Sequence, residues 1–153
     1  MIIPPLTREG CLPPGVHTTS LKKTLRRFRS GSAQREGLGA LLNEVVQAAD
    51  FYPTIKRILV WGSFVTSKPE PNDLDYSLVV GVGHRSIEIE LIHARFLVPI
   101  RAKIQYGSDP GFLILQDNDL SSYTDRLDFI SRKSGQEIGI IELCIRGERS
   151  WEE

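Results

Sequence analysis

The sequence predicts a fold of the α/β class, more narrowly α+β: one small domain with helices packed on a mixed β-sheet. Three observations predict it. Leu38, Leu41, Leu42, Val45 and Ala49 recur at the spacing of a single buried helical stripe. Ile58–Trp61, Leu74–Val82 and Ile138–Ile145 are short apolar runs bounded by Gly, Pro or polar residues, the mark of buried strands. The 153 residues, 41% apolar and 25% charged, suit one ordinary domain with its own core. Strand and helix signals interleave along the chain, which favours helices layered on a sheet.

Residues 1–17 hold Pro4, Pro5, Pro13 and Pro14, and are expected to form an extended N-terminal arm ahead of a domain over residues 18–153. Thr18, Thr19 or Ser20 caps a short helix with Leu21, Leu25 and Phe28 on one face. Gly31 and Ser32 interrupt it, and a second helix runs from about Gln34 to Ala49, stopped by Pro53. After the strand at Ile58–Trp61, Pro69 and Pro71 limit the next segment to a turn or two of helix. Residues 85–98 show both periodicities. The length of the run favours a helix with Ile87, Leu91, Ala94 and Val98 on one face. Ala102–Tyr106 and Phe112–Leu115 read as strands, and Asp117 or Asn118 as the cap of a helix carrying Leu120, Tyr123, Leu127 and Ile130.

No apolar run approaches the roughly 18–20 residues of a membrane helix. The opening Met1–Pro5 lacks the basic flank and long apolar core of a signal peptide. Cys11 and Cys144 make neither a zinc site nor a disulfide framework. Two reduced thiols and no leader give the cytoplasm as the expected compartment. The 19 basic and 19 acidic residues cancel overall, but residues 10–35 carry six basic side chains and no acid. The remainder from residue 36 on is net negative. A basic patch on an acidic body suits nucleic acid or an acidic partner. A solvated helix face, or internal pairing with the acidic body, accounts for the same charges.

The informative segment runs from Leu59 to Val80. A strand ends in Gly62-Ser63, a polar turn follows, and Asp73-Leu74-Asp75 opens the next strand. Residues i and i+2 of a strand point the same way, about 7 Å apart at the backbone. Asp73 and Asp75 therefore converge on one side, where two carboxylates repel each other unless a cation or proton intervenes. Mg²⁺ suits such a pair, because it completes its octahedron with water and substrate phosphates. Gly62 lets the backbone approach a phosphate, and Ser63 with the amides after it can donate to one. Lys68 is close enough in sequence to neutralise phosphate charge.

Gly62-Ser63 followed by Asp73-Leu74-Asp75 resembles the signature of the nucleotidyltransferase superfamily that shares its core with DNA polymerase beta. The resemblance implies a small mixed sheet with helices on one face. It also implies Ser63 on the nucleotide phosphates, and Asp73 and Asp75 as Mg²⁺ ligands. A third carboxylate on a later strand is usual in that superfamily, and Tyr106-Gly107-Ser108-Asp109 places it on Asp109, although Pro110-Gly111 stands where an apolar strand residue is usual. A narrower resemblance, through Leu12–His17, Gly62–Asp73, Tyr106–Asp109, and Arg132–Gly135 with Gly139–Leu143, is to compact bacterial nucleotidyltransferase-like proteins. Their superfamily includes toxin–antitoxin nucleotidyltransferases.

The expected function is Mg²⁺-dependent transfer of a nucleoside monophosphate from a nucleoside triphosphate to a hydroxyl acceptor. The alternative is a catalytically silent binding module of the same fold, such as a toxin–antitoxin component or a nucleotide sensor. No helical acceptor-binding domain is visible, so the expected acceptor is a small molecule, a protein hydroxyl or an RNA end, or else a protein partner or second copy supplies the missing surface. Asp117 and Asp119 follow Gly107-Ser108 at a similar spacing, but the apolar Phe112–Leu115 separates them and they read as helix-capping acids. His17, His84 and His93 show no metal-ligand spacing.

Overall fold

The computed structural model describes residues 2–98, 101–102, 113–116 and 139–145, with residues 113–116 described by their backbone. Their elements, in chain order, are β1 (Gly15–Thr19), α1 (Leu21–Phe28), α2 (Ala33–Ala49), β2 (Ile55–Trp61), β3 (Asp75–Val80), α3 (Leu91–Leu97), β4 (Leu113–Gln116) and β5 (Gly139–Cys144). Short 3-10 turns sit at Ser63–Val65 and Ser86–Glu88. The strands form one mixed sheet in the order β1-β5-β2-β3-β4. The central pairs β5–β2 and β2–β3 are antiparallel, while β1–β5 and β3–β4 are parallel. The fold is thus α+β, a mixed sheet with helices packed on it.

Local chemistry starts each helix. Ser20 caps α1 by accepting the Lys23 N–H at 3.2 Å, and Ser32 caps α2 by accepting the Arg35 N–H at 3.2 Å. The stripe of α2 buries Leu42, Val45 and Ala49, with Leu38 and Leu41 half-buried at its edge. These side chains join Phe28 of α1, Phe96 and Leu97 of α3, and one face of the sheet: Ile58 and Val60, Tyr76, Leu78 and Val80, Ile141 and Leu143. Tyr76 brings its hydroxyl into this core and donates it to Phe96 O at 2.6 Å. A bulge in β2 near Ile55 lets Ile55 and Ile58, three residues apart, both reach the same core. On the other face Leu59, Val79 and Ile140 are buried as well, which is why these strands read as continuous apolar runs. Glu142 is buried on that face, where it accepts Thr18 Oγ1 at 3.0 Å and pairs with Arg57 at 2.7 Å, tying β1, β5 and β2 together.

Several expectations change. Residue 17 is not an edge of the fold, because β1 runs through it and pairs with β5. The arm before it sends Ile3 and Leu12 into the core. Residues 85–98 contain a 3-10 turn and a shorter helix, α3, instead of one continuous helix. Ala102, read as the start of a strand, is helical. The strand expected at Phe112–Leu115 appears as β4, while the rest of the strand at 102–106 and the helix after Asp117 lie outside the described residues. Among the described residues no helix is long and apolar enough to cross a membrane.

His84 reports on this packing. Its Nδ1 is 2.9 Å from Thr54 Oγ1, and its Nε2 is buried with no partner among the described residues. Burial pulls its pKa below the ordinary 6.5, and the nearby Glu88 carboxylate only partly offsets this. As pH falls through 6.5 the unfolded chain takes up the proton first, so stability drops on acidification and levels off below the folded-state pKa. Unfolding titrations between about pH 7 and pH 5 should therefore show a loss that His84→Gln reduces.

Candidate functional site

The site is built where β2 ends and β3 begins. Trp61 is the last residue of β2, and Asp75, the first residue of β3, stands opposite it in the antiparallel register. Between them the chain leaves β2 through Gly62, whose φ of +80° is a conformation that residues with a Cβ rarely adopt. A Cβ there would also collide with Asp75 Oδ2, and even the carboxylate carbon lies 3.2 Å from that position. The two halves of the sequence motif therefore touch: the Asp75 carboxylate rests on the bare Cα of Gly62.

After Gly62 the chain makes the 3-10 turn at Ser63–Val65. Val65 N–H donates to Gly62 O, and Thr66 N–H to Ser63 O, each at 3.2 Å. Thr66 Oγ1 donates to Ser63 O at 2.7 Å. These bonds leave the N–H groups of Ser63 and Phe64 outside the turn's own pairing. Phe64 and Val65 are buried, and the Phe64 ring lies 6.2 Å from that of Phe28, so the turn is packed onto α1.

A residue that the sequence reading placed in the basic segment organises this loop. Arg35, in the first turn of α2, is only 6% exposed. Its guanidinium donates to Phe28 O at 2.9 Å, Phe64 O at 2.8 Å and Lys68 O at 2.5 Å, and also to Thr66 O. Four terminal N–H groups meet four carbonyls, a match only the planar fork of arginine supplies. Burial lowers its pKa from the ordinary arginine value, yet arginine stays cationic near neutrality. Ser32 Oγ adds a 2.7 Å bond to Pro69 O, and Ser67 N–H donates to Gly10 O at 2.8 Å. Arg35 thus belongs to the interior of the site and not to the exposed basic face. Its signal was legible in principle, because Arg35 is in helical register with Leu38, Leu42, Val45 and Ala49.

The candidate residues fall as follows. Gly62, Ser63 and Asp75 are brought together. Asp73, just before β3, is exposed, Leu74 is buried and Asp75, the first residue of β3, is half-buried. Carboxylate oxygens are hard donors that suit Mg²⁺, so the pair fits the metal expected there. Lys68 is exposed, with its carbonyl held by Arg35 and its N–H donating to Thr66 Oγ1 at 3.2 Å. Asp109 lies outside the described residues. The strand that begins four residues after it, β4, is the parallel neighbour of β3, with Leu113 opposite Ser77. Among the described residues no three His, Cys, Asp or Glu side chains form a metal-binding group. Trp61, half-buried beside Asp75, was not singled out from the sequence, because a tryptophan ending an apolar run reads as core.

The chain belongs to the DUF6932 family, described as a family of unknown function, whose sequence profile matches residues 4–144. No curated protein and no solved structure matched the chain.

Removing the guanidinium tests the loop's dependence on it. Arg35→Met strands the buried Phe28 and Phe64 carbonyls, and urea unfolding should show a loss of about 3 kcal/mol. Arg35→Lys keeps the charge but not the fork and should recover only part of that loss.

Proposed function

We propose that the chain is a Mg²⁺-dependent nucleotidyltransferase that moves a nucleoside monophosphate from a nucleoside triphosphate to a hydroxyl acceptor. The observation that carries this reading is the seating of the Asp75 carboxylate on Gly62, at the entrance of a loop held rigid by Arg35. A plain turn between two strands accounts for a glycine and one polar residue. It does not account for a carboxylate seated on the glycine beside loop amides that the turn itself does not use.

In this reading the Ser63 and Phe64 N–H groups and the Ser63 hydroxyl bind the triphosphate oxygens, and the Lys68 ammonium neutralises part of their charge. Asp73 and Asp75 hold Mg²⁺, and Asp109 is the third carboxylate. The metal, when bound, stabilises charge on the phosphoryl oxygens and the leaving group. The acceptor oxygen forms a bond to the α-phosphorus as the bond to the bridging oxygen breaks and pyrophosphate leaves. Asp109 takes the proton of the acceptor hydroxyl. The reading places the protein in the cytoplasm, where the free thiols Cys11 and Cys144 stay reduced.

Two measurements test it. Mg²⁺ with a nucleoside triphosphate at about a hundred times its Kd should stabilise the chain by about 2.7 kcal/mol in thermal unfolding. Asp73→Asn with Asp75→Asn, or chelation of the metal, should abolish that shift, and an equal shift in the double variant refutes the site. Asp109→Asn should keep nucleotide binding and lower label transfer from an α-labelled triphosphate by about 10²-fold or more. Equal transfer by both proteins removes Asp109 from the mechanism.

A further inference from the structure

Helix α1 presents a stripe of exposed basic side chains. Thr24 and Phe28 are buried, with Leu21 and Leu25 half-buried beside them, while Lys22, Arg26, Arg27 and Arg29 are exposed. Lys22, Arg26 and Arg29 follow the spacing i, i+4, i+7 and so form one stripe along about 10 Å of helix axis. The arrangement costs the isolated helix stability. Lys22–Arg26 and Lys23–Arg27 are like-charge i, i+4 pairs. The first turn holds lysines and no acid, the unfavourable sign for a helix N-terminus. Among the described residues no carboxylate forms an ion pair with Lys22, Arg26 or Arg29.

The end of the stripe is anchored on α2. The Arg29 stem lies across α2 at Gly39, where an added Cβ would come within 2.7 Å of Arg29 Cγ. The carbonyl of Phe28, at the end of α1, and that of Lys68, in the loop after Gly62-Ser63, are held by one guanidinium, that of Arg35. The backbone at the C-terminal end of α1 therefore lies within a guanidinium's width of the loop that carries Lys68 and leads back to Gly62.

We infer that α1 binds the phosphate backbone of a single-stranded nucleic acid and directs its end toward the loop at Gly62-Ser63, making that strand the hydroxyl acceptor. Three cations spread along about 10 Å of helix can each neutralise a phosphate of a strand laid along them. A free strand end carries the terminal hydroxyl that such a transfer requires. The acceptor role rests on the transfer reading above. The binding surface does not.

The test uses the full-length chain and a labelled RNA strand of about 12 nucleotides in fluorescence anisotropy, without metal or triphosphate, between about 50 and 200 mM salt. Wild type should bind, with log K falling linearly against log salt. Lys22→Gln with Arg26→Gln and Arg29→Gln should weaken binding and flatten that slope by about 2, near 0.7 for each phosphate no longer neutralised. The melting curve of this variant should stay cooperative. Because binding is read without metal or triphosphate, it reports on this surface separately from the metal site. No binding by wild type at about 50 mM salt, or an unchanged slope in the triple variant, overturns the inference. So does displacement by polyglutamate as effective as by unlabelled strand, which would assign the stripe to an acidic protein. With Mg²⁺ and triphosphate added, a strand ending in a 3′-hydroxyl should gain label and one ending in a 3′-phosphate should not. Equal labelling of both, or labelling of neither by a protein shown to bind Mg²⁺ and triphosphate, overturns the acceptor role.

Discussion

The Arg35 guanidinium is the constraint on which the rest of the site depends. Buried cations are expensive, because water solvates them better than a protein interior does. Here the lost hydration is replaced by four backbone carbonyls, one each from Phe28, Phe64, Thr66 and Lys68. Those carbonyls belong to two separate parts of the chain, the end of α1 and the loop after β2, and the cation belongs to a third, the start of α2. A lysine has no planar fork with which to reach all four. One side chain thus closes the C-terminus of α1, orders a loop that has little secondary structure of its own, and joins both to the helix layer.

That ordering gives the Gly62–Asp75 contact its meaning. The antiparallel register of β2 and β3 sets Asp75 opposite Trp61, and a slip by one residue would turn Asp75 into the core and Leu74 out of it. Gly62 has the φ that swings the chain aside and the bare Cα on which the carboxylate rests. Another carboxylate of the same sheet face, Glu142, is engaged by Arg57 and Thr18 and serves the sheet. The acidic groups are therefore divided by their place in the fold: Glu142 stitches strands, while Asp73 and Asp75 stand at the mouth of the loop.

Charge is divided in space as well. The carboxylates sit at the start of β3, and the exposed cations on α1, with the Arg35 cluster between α1 and the loop. Arg35 joins these two regions through backbone carbonyls, so its charge is taken up by the loop and the helix end. An anionic ligand placed across that junction would meet positive charge on the α1 side and loop amides at Gly62-Ser63.

Much of this was legible in the residues alone, wherever the cause is local. The stripe of α2 is a helical period, the cap of α1 is a serine before an apolar face, and β2, β3 and β5 are apolar runs closed by turns. Gly62-Ser63 and Asp73-Leu74-Asp75 were readable because chain spacing alone sets which way strand neighbours point. What was hidden depends on a partner distant in sequence. β1 has no apolar run and is a strand because β5 offers it an edge. Ala102 is helical although its neighbours in sequence read as a strand. Arg35 looked like one more cation in a basic segment, and only the folded chain sets four carbonyls around it. Local sequence determined the elements and the motif. The tertiary structure decided which polar groups are buried together, since a charge enters an interior only where distant backbone has been assembled to solvate it.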